Sequence, residues 1–245
     1  ETPVLGTLNS NNGKAVIDSI EKAVEFTKNG TSGAVVTNPI HKAALYDIGF
    51  DFAGHTEFLG ALCGAVTPVM MLATDELRVV PLTVHHAIQD VSKMITENLI
   101  IEKAQIVHND LKQKFGFKNP RLALAGLNPH AGEGGAMGME EINIISPAIE
   151  KLKAQGLTVS GPYPADTLFH AEARAQYDVA LCMYHDQALI PLKTLDFHGG
   201  VNITLGLPII RTSPDHGTAL DIAGKGMANP SSLIAAIKVA QNLNN

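Results

Sequence analysis

The chain has 245 residues, a formal net charge of −6 and a pI near 5.9, with 45% hydrophobic and 17% charged residues. This acidic balance argues against a nucleic-acid-binding surface, because no basic cluster is available to neutralise phosphates along a strand. The apolar runs are too short to span a bilayer, and the start shows no signal-peptide pattern. Two cysteines in apolar settings, Cys63 and Cys182, favour buried thiols in a reducing compartment over a disulfide framework. We therefore expect a cytoplasmic protein.

Helical and strand patterns alternate along the chain. The predicted helices carry apolar residues at helical spacing and cover residues 12–28, 87–95, 96–113, 140–155 and 231–243. The predicted strands are short and apolar and cover residues 33–37, 69–74, 77–84, 121–126, 159–164 and 177–183. This alternation is typical of an open α/β sheet, in which the loops at the carboxyl ends of the strands bind ligands.

Three predicted strands lead into a histidine, at His85, His130 and His185. A single histidine after a strand is more often structural than functional. Loops at one edge of a parallel sheet converge, however, and imidazole is the commonest protein ligand for a divalent transition metal. The repetition therefore predicts a metal site, with Asp166 and Asp186 as further ligands or as acceptors that orient the histidines.

Several other polar residues are suited to binding an anion. Lys193, Arg211 and the pair His55 and Thr56 offer cationic and hydroxyl donors for a phosphate or carboxylate. A surface lysine and a structural ion pair are equally good explanations of Lys193 and Arg211 on composition alone. Asn202 alternates with apolar residues, which fits either an inward polar contact or a residue of an edge strand.

The common nucleotide-binding and hydrolase motifs are absent. No G-x-G-x-x-G follows a strand, and neither a P-loop nor a G-x-S-x-G motif occurs, so a Rossmann dinucleotide site and a hydrolase nucleophile are unsupported.

The glycine-rich turn at 132–135 could bind an anion on its backbone amides. His86 should point away from His85 if the strand continues through both.

Six motifs then occur in order over nearly the whole chain: GHTE at 54–57, GLNPHAGEGG at 126–135, PADT at 164–167, YHDQ at 184–187, GVNITLGLP at 200–208 and RTSPDHGTA at 211–219. Together they closely resemble the 4-hydroxythreonine-4-phosphate dehydrogenase family of vitamin B6 biosynthesis. The resemblance implies an α/β fold of two α/β/α subdomains with a cleft between them, like isocitrate and isopropylmalate dehydrogenases and unlike Rossmann proteins. It assigns residues 1–54 with 219–245 to the first subdomain, and residues 55–218, with metal and dimer contacts, to the second.

The same resemblance implies the site residues. A divalent metal such as zinc, magnesium or cobalt would be held by His85, His130 and His185, the last contributed across a homodimer interface. The substrate would contact His55, Thr56, Lys193, Asn202 and Arg211. Lys193, Asp166 and Asp186 would be catalytic, the two aspartates lying close to the metal. Residues 216–230 are similar to an adenosine-binding loop, which implies NAD or NADP contacts from His216, Gly217, Thr218, Ala219, Asp221 and Asn229.

The implied reaction is oxidation of 4-phosphooxy-L-threonine at its C3 hydroxyl, followed by decarboxylation to 3-amino-2-oxopropyl phosphate. Asp221 favours NAD over NADP, because a carboxylate would repel a 2′-phosphate. Members of the family carry a further N-terminal segment with a glycine-rich loop, which this chain lacks. Two alternatives therefore remain: a sister dehydrogenase for phosphorylated threonate or erythronate, and a truncated, inactive metal-binding dimer.

Overall fold

A computed structural model describes residues 2, 4–52, 54–64 and 67–243. Its strands are β1 (Ala34–Val36), β2 (Val69–Ala73), β3 (Arg78–Pro81), β4 (Arg121–Ala125), β5 (Thr158–Tyr163), β6 (Val179–Cys182), β7 (Val201–Leu205) and β8 (Ile210–Pro214). Its helices are α1 (Gly13–Lys28), α2 (Lys42–Tyr46), α3 (His55–Leu62), α4 (Ile88–Met94), α5 (Glu97–Gln113), α6 (Ser146–Ala154), α7 (Ala171–Arg174), α8 (His185–Leu195) and α9 (Ser231–Leu243). Within these ranges, none of the helices combines the length and the hydrophobicity that a membrane span requires.

The chain divides into two compact units. Unit 1 is Glu1–Pro68 with Val201–Asn245, and unit 2 is Val69–Gly200. Residues 55–68 and 201–218, which the family resemblance assigns to the second subdomain, lie in unit 1. The reason is pairing: β7 and β8 are hydrogen-bonded to each other and β8 to β1, so the whole 201–214 hairpin joins the strand that follows α1.

Unit 1 is built on the strand order β1-β8-β7. Strands β1 and β8 are parallel, β7 is antiparallel to β8, and α9 contacts all three. Its apolar core includes Val24 of α1, Val35 of β1 and a group of three phenylalanine rings with centroids 5.1–5.3 Å apart, at Phe50, Phe52 and Phe58. These contacts join α1, β1 and α3 in one core.

Unit 2 is built on the strand order β2-β3-β6-β4-β5. Strands β3, β6, β4 and β5 are parallel, and β2 is antiparallel to β3. Its core strands are buried on both faces, and β6 is buried at every position. Where helices cover both faces of a parallel sheet, its strands are expected to be continuous apolar runs in the sequence.

Most predicted elements are confirmed. Helix α9 has the predicted bounds, and the hydroxyl of Thr96 caps α5 by accepting from the amide of Leu99 at 3.2 Å. The predicted helix at 140–155 instead begins as a π-helical turn, Glu141–Ile145, before α6. Helix α8 was not predicted, because the polar start of the segment and its internal Pro191 obscure the helical pattern.

Candidate active site

A row of polar side chains lies on one face of the unit 1 strands. Asn202 and Thr204 are two residues apart on β7 and therefore share a face. In the antiparallel register Asn202 pairs with Ser213, which is two residues from Arg211 on β8. The Arg211 guanidinium donates from Nη1 to the Thr204 hydroxyl at 2.9 Å, which confirms that the two side chains meet.

Arg211 is a buried arginine held by hydroxyls. Only 3% of its surface is exposed, and its Nη2 donates to the Thr37 hydroxyl at 2.8 Å. Among the described residues no carboxylate forms an ion pair with it, so the ion-pair explanation left open by the sequence does not apply. Burial lowers the pKa of Arg211 to about 10, a value that still leaves it charged at neutral pH.

Three predicted substrate residues carry buried polar atoms that find no hydrogen-bond partner in the described part of the chain: His55 Nε2, Asn202 Oδ1 and Arg211 Nε. Two further such atoms belong to His41 and His108. A buried polar atom without a partner costs about 1–3 kcal/mol, so each one needs an explanation, and a bound ligand or an ordered water can supply the missing partner. All three at the predicted site belong to unit 1.

The environment of His55 is cationic. Burial first, then the charges of Arg211 and Lys42, lower the pKa of His55 to about 4. His55 is therefore neutral at physiological pH and can donate a hydrogen bond from one ring nitrogen. Lys42 was not predicted as a site residue; the signal was its place just after β1, beside the strand-end residue Thr37.

His55 and Thr56 are the first two residues of α3, and Gly54 is its N-cap. The first amides of a helix have no partner within the helix and favour a negative charge. A Cβ on Gly54 would lie 3.3 Å from Lys42 Nζ, so glycine keeps the space beside this lysine clear. Unit 1 thus gathers helix amides, a guanidinium and an ammonium suited to an anion.

In unit 2 the strands that precede the three predicted metal-binding histidines are neighbours. Strands β3, β6 and β4 lie side by side and parallel, so the loops bearing His85, His185 and His130 leave one edge of the sheet, as predicted. The rings of His85 and His185 have centroids 6.2 Å apart. Both line a cavity of about 580 Å³, and His86 lines it too. The expectation that His86 points away from His85 required the strand to continue through both residues, and β3 ends at Pro81.

Two residues that follow His185 hold its surroundings in place. Asp186 Oδ1 lies 2.7 Å from His185 Nδ1, a bond that leaves Nε2 of this histidine available as a ligand. The buried Gln187 accepts from the amide of Met183 at 2.7 Å and donates to the carbonyl of Gly126 at 2.8 Å. Gln187 was not predicted, and it links the end of β6 to the end of β4.

His130 lies in an unusual turn. Residues His130, Ala131, Gly132, Glu133 and Gly134 all have positive φ, from 45° to 82°. The described residues of one chain contain no group of three His, Cys, Asp or Glu side chains placed to hold a metal ion. The structure therefore brings His85 and His185 together but does not complete a three-histidine set within a single chain.

The remaining predicted residues have simpler settings. Asp166 is exposed in a short 3-10 helix, Ala165–Thr167. Lys193 is half-buried on α8, with its ammonium 5.6 Å from the ring centroid of Phe197. Neither position excludes the predicted catalytic roles, which stay predictions.

The predicted adenosine loop lies in unit 1 and is largely exposed. His216 Nδ1 lies 2.9 Å from the carbonyl of Gly217, Ala219 has a left-handed φ of 46°, and Asp221 is exposed in the 3-10 helix Leu220–Ile222. The side-chain oxygen of Asn229 accepts from the amide of Ser231 at 3.0 Å, so it supports the start of α9. Thr218, which lies between Gly217 and Ala219 in the sequence, is half-buried.

The fold and these side chains define a class of protein: a mixed α/β enzyme with a buried arginine in one unit and histidines that follow neighbouring parallel strands in the other. The chain belongs to the family of the pyridoxal phosphate biosynthetic protein PdxA, whose model matches residues 2–240. Curated 4-hydroxythreonine-4-phosphate dehydrogenases from Methylorubrum populi and Roseobacter denitrificans are 55% and 57% identical to it. These matches cover 97% and 95% of this chain and 70% and 72% of the relatives.

Solved structures agree with this assignment. The crystal structure of 4-hydroxythreonine-4-phosphate dehydrogenase from Klebsiella pneumoniae matches with a TM-score of 0.91 at 39% identity, over 98% of this chain and 73% of that chain. A terephthalate 1,2-cis-dihydrodiol dehydrogenase from Burkholderia xenovorans matches with a TM-score of 0.73 at 30% identity, over 98% of this chain and 76% of that chain. The predicted mixed α/β fold and the predicted family are confirmed.

Proposed function

We propose that this chain is a 4-hydroxythreonine-4-phosphate dehydrogenase of pyridoxal phosphate biosynthesis. The reaction oxidises the C3 hydroxyl of 4-phosphooxy-L-threonine with reduction of NAD or NADP, and loss of CO2 then gives 3-amino-2-oxopropyl phosphate. The observation that carries the assignment to a phosphorylated substrate is Arg211, a buried arginine whose charge no carboxylate of the described residues balances.

Unit 1 supplies the groups that would bind the substrate phosphate. Arg211 Nε, His55 Nε2 and Asn202 Oδ1 are buried and find no hydrogen-bond partner among the described residues. A phosphate ester could satisfy the nitrogens while a neighbouring hydroxyl or amine satisfies the amide oxygen. The N-terminal amides of α3, with Thr56, add uncharged donors to the same anion.

Unit 2 supplies imidazoles and Lys193. The donor chemistry of His85, His130 and His185 fits a divalent metal such as zinc, magnesium or cobalt, which would polarise the oxygen atoms of the reacting alcohol and ketone. Asp186, bonded to His185 Nδ1, would fix the ring and its tautomer. Lys193 would act as a cation at the oxygen that gains negative charge when CO2 leaves, with Asp166 as a further acid or base.

A homodimer is part of the same proposal. One chain brings two of the three histidines within 6.2 Å of each other, and no three-ligand group is complete in its described residues. A histidine contributed by a second copy would complete the set, as the family resemblance implies.

The loop at 216–229 would receive the adenosine part of NAD or NADP. The carboxylate of Asp221 is exposed and suited to bonding two ribose hydroxyls, which favours NAD because it would repel a 2′-phosphate. The Asn229 oxygen is already used at the start of α9, so this residue would reach adenine through its amide nitrogen.

A substrate panel tests the proposal. The purified protein with Zn²⁺, Mg²⁺ or Co²⁺ is assayed for NADH or NADPH formation on 4-phosphooxy-L-threonine, phosphothreonate and phosphoerythronate. We expect turnover on the amino acid ester with release of CO2. Faster turnover on either phosphorylated sugar acid would instead establish the sister dehydrogenase, and no turnover on any of the three would contradict both.

A further inference from the structure

The turn Pro129–Gly135, here called the left-handed turn, has an unusual backbone. Five successive residues from His130 to Gly134 have positive φ, and three of them are not glycine. L-residues visit this region as single residues and rarely in succession, because Cβ then crowds the carbonyl oxygen. Such a backbone persists only where its surroundings hold it in place.

The group that contacts this backbone is the carboxylate of Glu141. Glu141 is 3% exposed, and its Oε1 accepts from the backbone amides of Leu127 and Asn128 at 2.7 Å each. Its Oε2 accepts from Asn128 Nδ2 at 3.0 Å. A Cβ on Gly132 would lie 2.6 Å from the same Oε2, so the turn passes directly over the carboxylate.

Glu141 differs from an ordinary buried acid in two ways. Within the described residues no Lys, Arg or His forms an ion pair with it, and its hydrogen-bond partners all belong to the segment that leads into the turn. It also begins the π-helical turn Glu141–Ile145, a distortion that occurs often at functional sites. The helix is therefore distorted at the residue that binds the segment leading into the turn.

We propose that Glu141 is the positioning residue of His130. By binding the amides two and three residues before His130, the carboxylate fixes where the left-handed turn begins, and the turn then sets the position of the His130 ring. This inference deepens the proposed function, since it rests on the role of His130 as a metal ligand for its consequence in catalysis.

The arrangement of donors and acceptors around Asn128 allows the role of Glu141 to be tested by mutation. Asn128 Nδ2 also donates to Glu140 Oε2 at 2.8 Å, so one amide group serves two carboxylates. In Glu141→Gln the new amide oxygen still accepts from the backbone amides of Leu127 and Asn128. Its amide nitrogen then faces Asn128 Nδ2, so two hydrogen-bond donors oppose each other. Turning the Asn128 amide over does not help, because its oxygen would then face the carboxylate of Glu140. The double variant Glu140→Gln with Glu141→Gln removes this conflict, since a turned Asn128 oxygen accepts from both new amides.

The experiment compares Glu141→Gln, the double variant and Glu150→Gln, a control that removes one exposed carboxylate on α6. Three quantities are measured on the full chain: amide hydrogen exchange at Leu127 and Asn128, the NMR signal of the His130 ring, and Zn²⁺ affinity by chelator competition. His130→Ala identifies the ring signal and supplies the reference for loss of a ligand.

We expect Glu141→Gln to speed amide exchange at least about tenfold, to shift the His130 signal and to weaken Zn²⁺ binding roughly 10- to 100-fold. The double variant should recover all three, and Glu150→Gln should match the parent. Parent-like exchange and ring signal in Glu141→Gln, or a double variant as impaired as the single one, would overturn the proposal. If His130→Ala retains the Zn²⁺ affinity of the parent, His130 is not a metal ligand. The role of Glu141 is then decided by amide exchange and by the NMR signal of the His130 ring alone.

Discussion

The guanidinium of Arg211 donates to the hydroxyl of Thr37 at 2.8 Å, although 174 residues separate the two in the sequence. This bond joins the end of β1 to β8 and, with the bond to Thr204, holds both terminal nitrogens of the arginine. Nε is left without a partner in the described chain. Unit 1 therefore holds its arginine by uncharged hydroxyls, and no carboxylate of the described residues balances its positive charge.

Thr37→Val tests whether this hydroxyl positions the arginine. The change leaves a buried guanidinium N–H without a partner, which costs about 1–3 kcal/mol. We expect the KM for the phosphorylated substrate to rise several-fold, with a smaller effect on kcat, when initial rates are measured over a range of substrate concentrations. Thr37→Ser keeps the hydroxyl and should stay near the parent; equal KM increases in both variants would show that packing, and not the hydrogen bond, matters at this position.

His55 makes the stability of the protein depend on pH. In the unfolded chain its pKa is near 6.5, whereas burial and the charges of Arg211 and Lys42 lower the folded value to about 4. Between these values the unfolded state binds more protons, so this contribution is complete above about pH 6.5 and is lost as the pH falls towards 4. We expect a loss of about 1–2 kcal/mol between pH 7 and pH 5 that His55→Gln abolishes. Urea unfolding of both proteins at the two pH values measures it, and an identical pH dependence would contradict the lowered pKa.

Gln187→Leu should destabilise unit 2. The side chain satisfies the buried amide of Met183 and the carbonyl of Gly126, and leaving both unpaired costs about 2–4 kcal/mol in the free energy of unfolding. The matched control is Thr194→Ala on the same helix, where an exposed hydroxyl bonds the carbonyl of Ile190. We expect the control to stay within about 0.5 kcal/mol of the parent. Denaturant unfolding that gives equal values for both variants would show that Gln187 is not a structural link.

Much of this architecture could be predicted from the sequence. The strands β3, β4 and β6 are apolar runs followed by polar loops. Both the strands and the histidines that follow them could therefore be predicted from the sequence. Periodicity of this kind reports burial, and it also found α1, α5 and α9. It does not report which strands pair, and for that reason the predicted subdomain bounds differ from the compact units at residues 55–68 and 201–218.

The rest depended on contacts between residues far apart in the chain. Thr37 and Lys42 lie near the predicted substrate residues because β1 pairs with β8, and in the sequence they are marked only as polar residues that follow a strand. Glu141 reads as one of two adjacent glutamates at a helix start, and its burial beneath the left-handed turn has no signature in the sequence. Asn202 and Thr204 do show a signal, since their spacing of two places both on one face of a strand.

Under the proposed function, Arg211 selects a phosphorylated substrate. The direct measurement is kcat/KM for 4-phosphooxy-L-threonine against 4-hydroxy-L-threonine, in the parent protein and in Arg211→Met, followed by NADH formation. Hydrogen bonds to charged groups contribute about 1.5–3 kcal/mol each, so we expect the parent to prefer the phosphorylated compound by at least about 100-fold. Arg211→Met should reduce that preference by at least about tenfold. An equal preference in both proteins would contradict the assignment of Arg211 as the phosphate-binding residue.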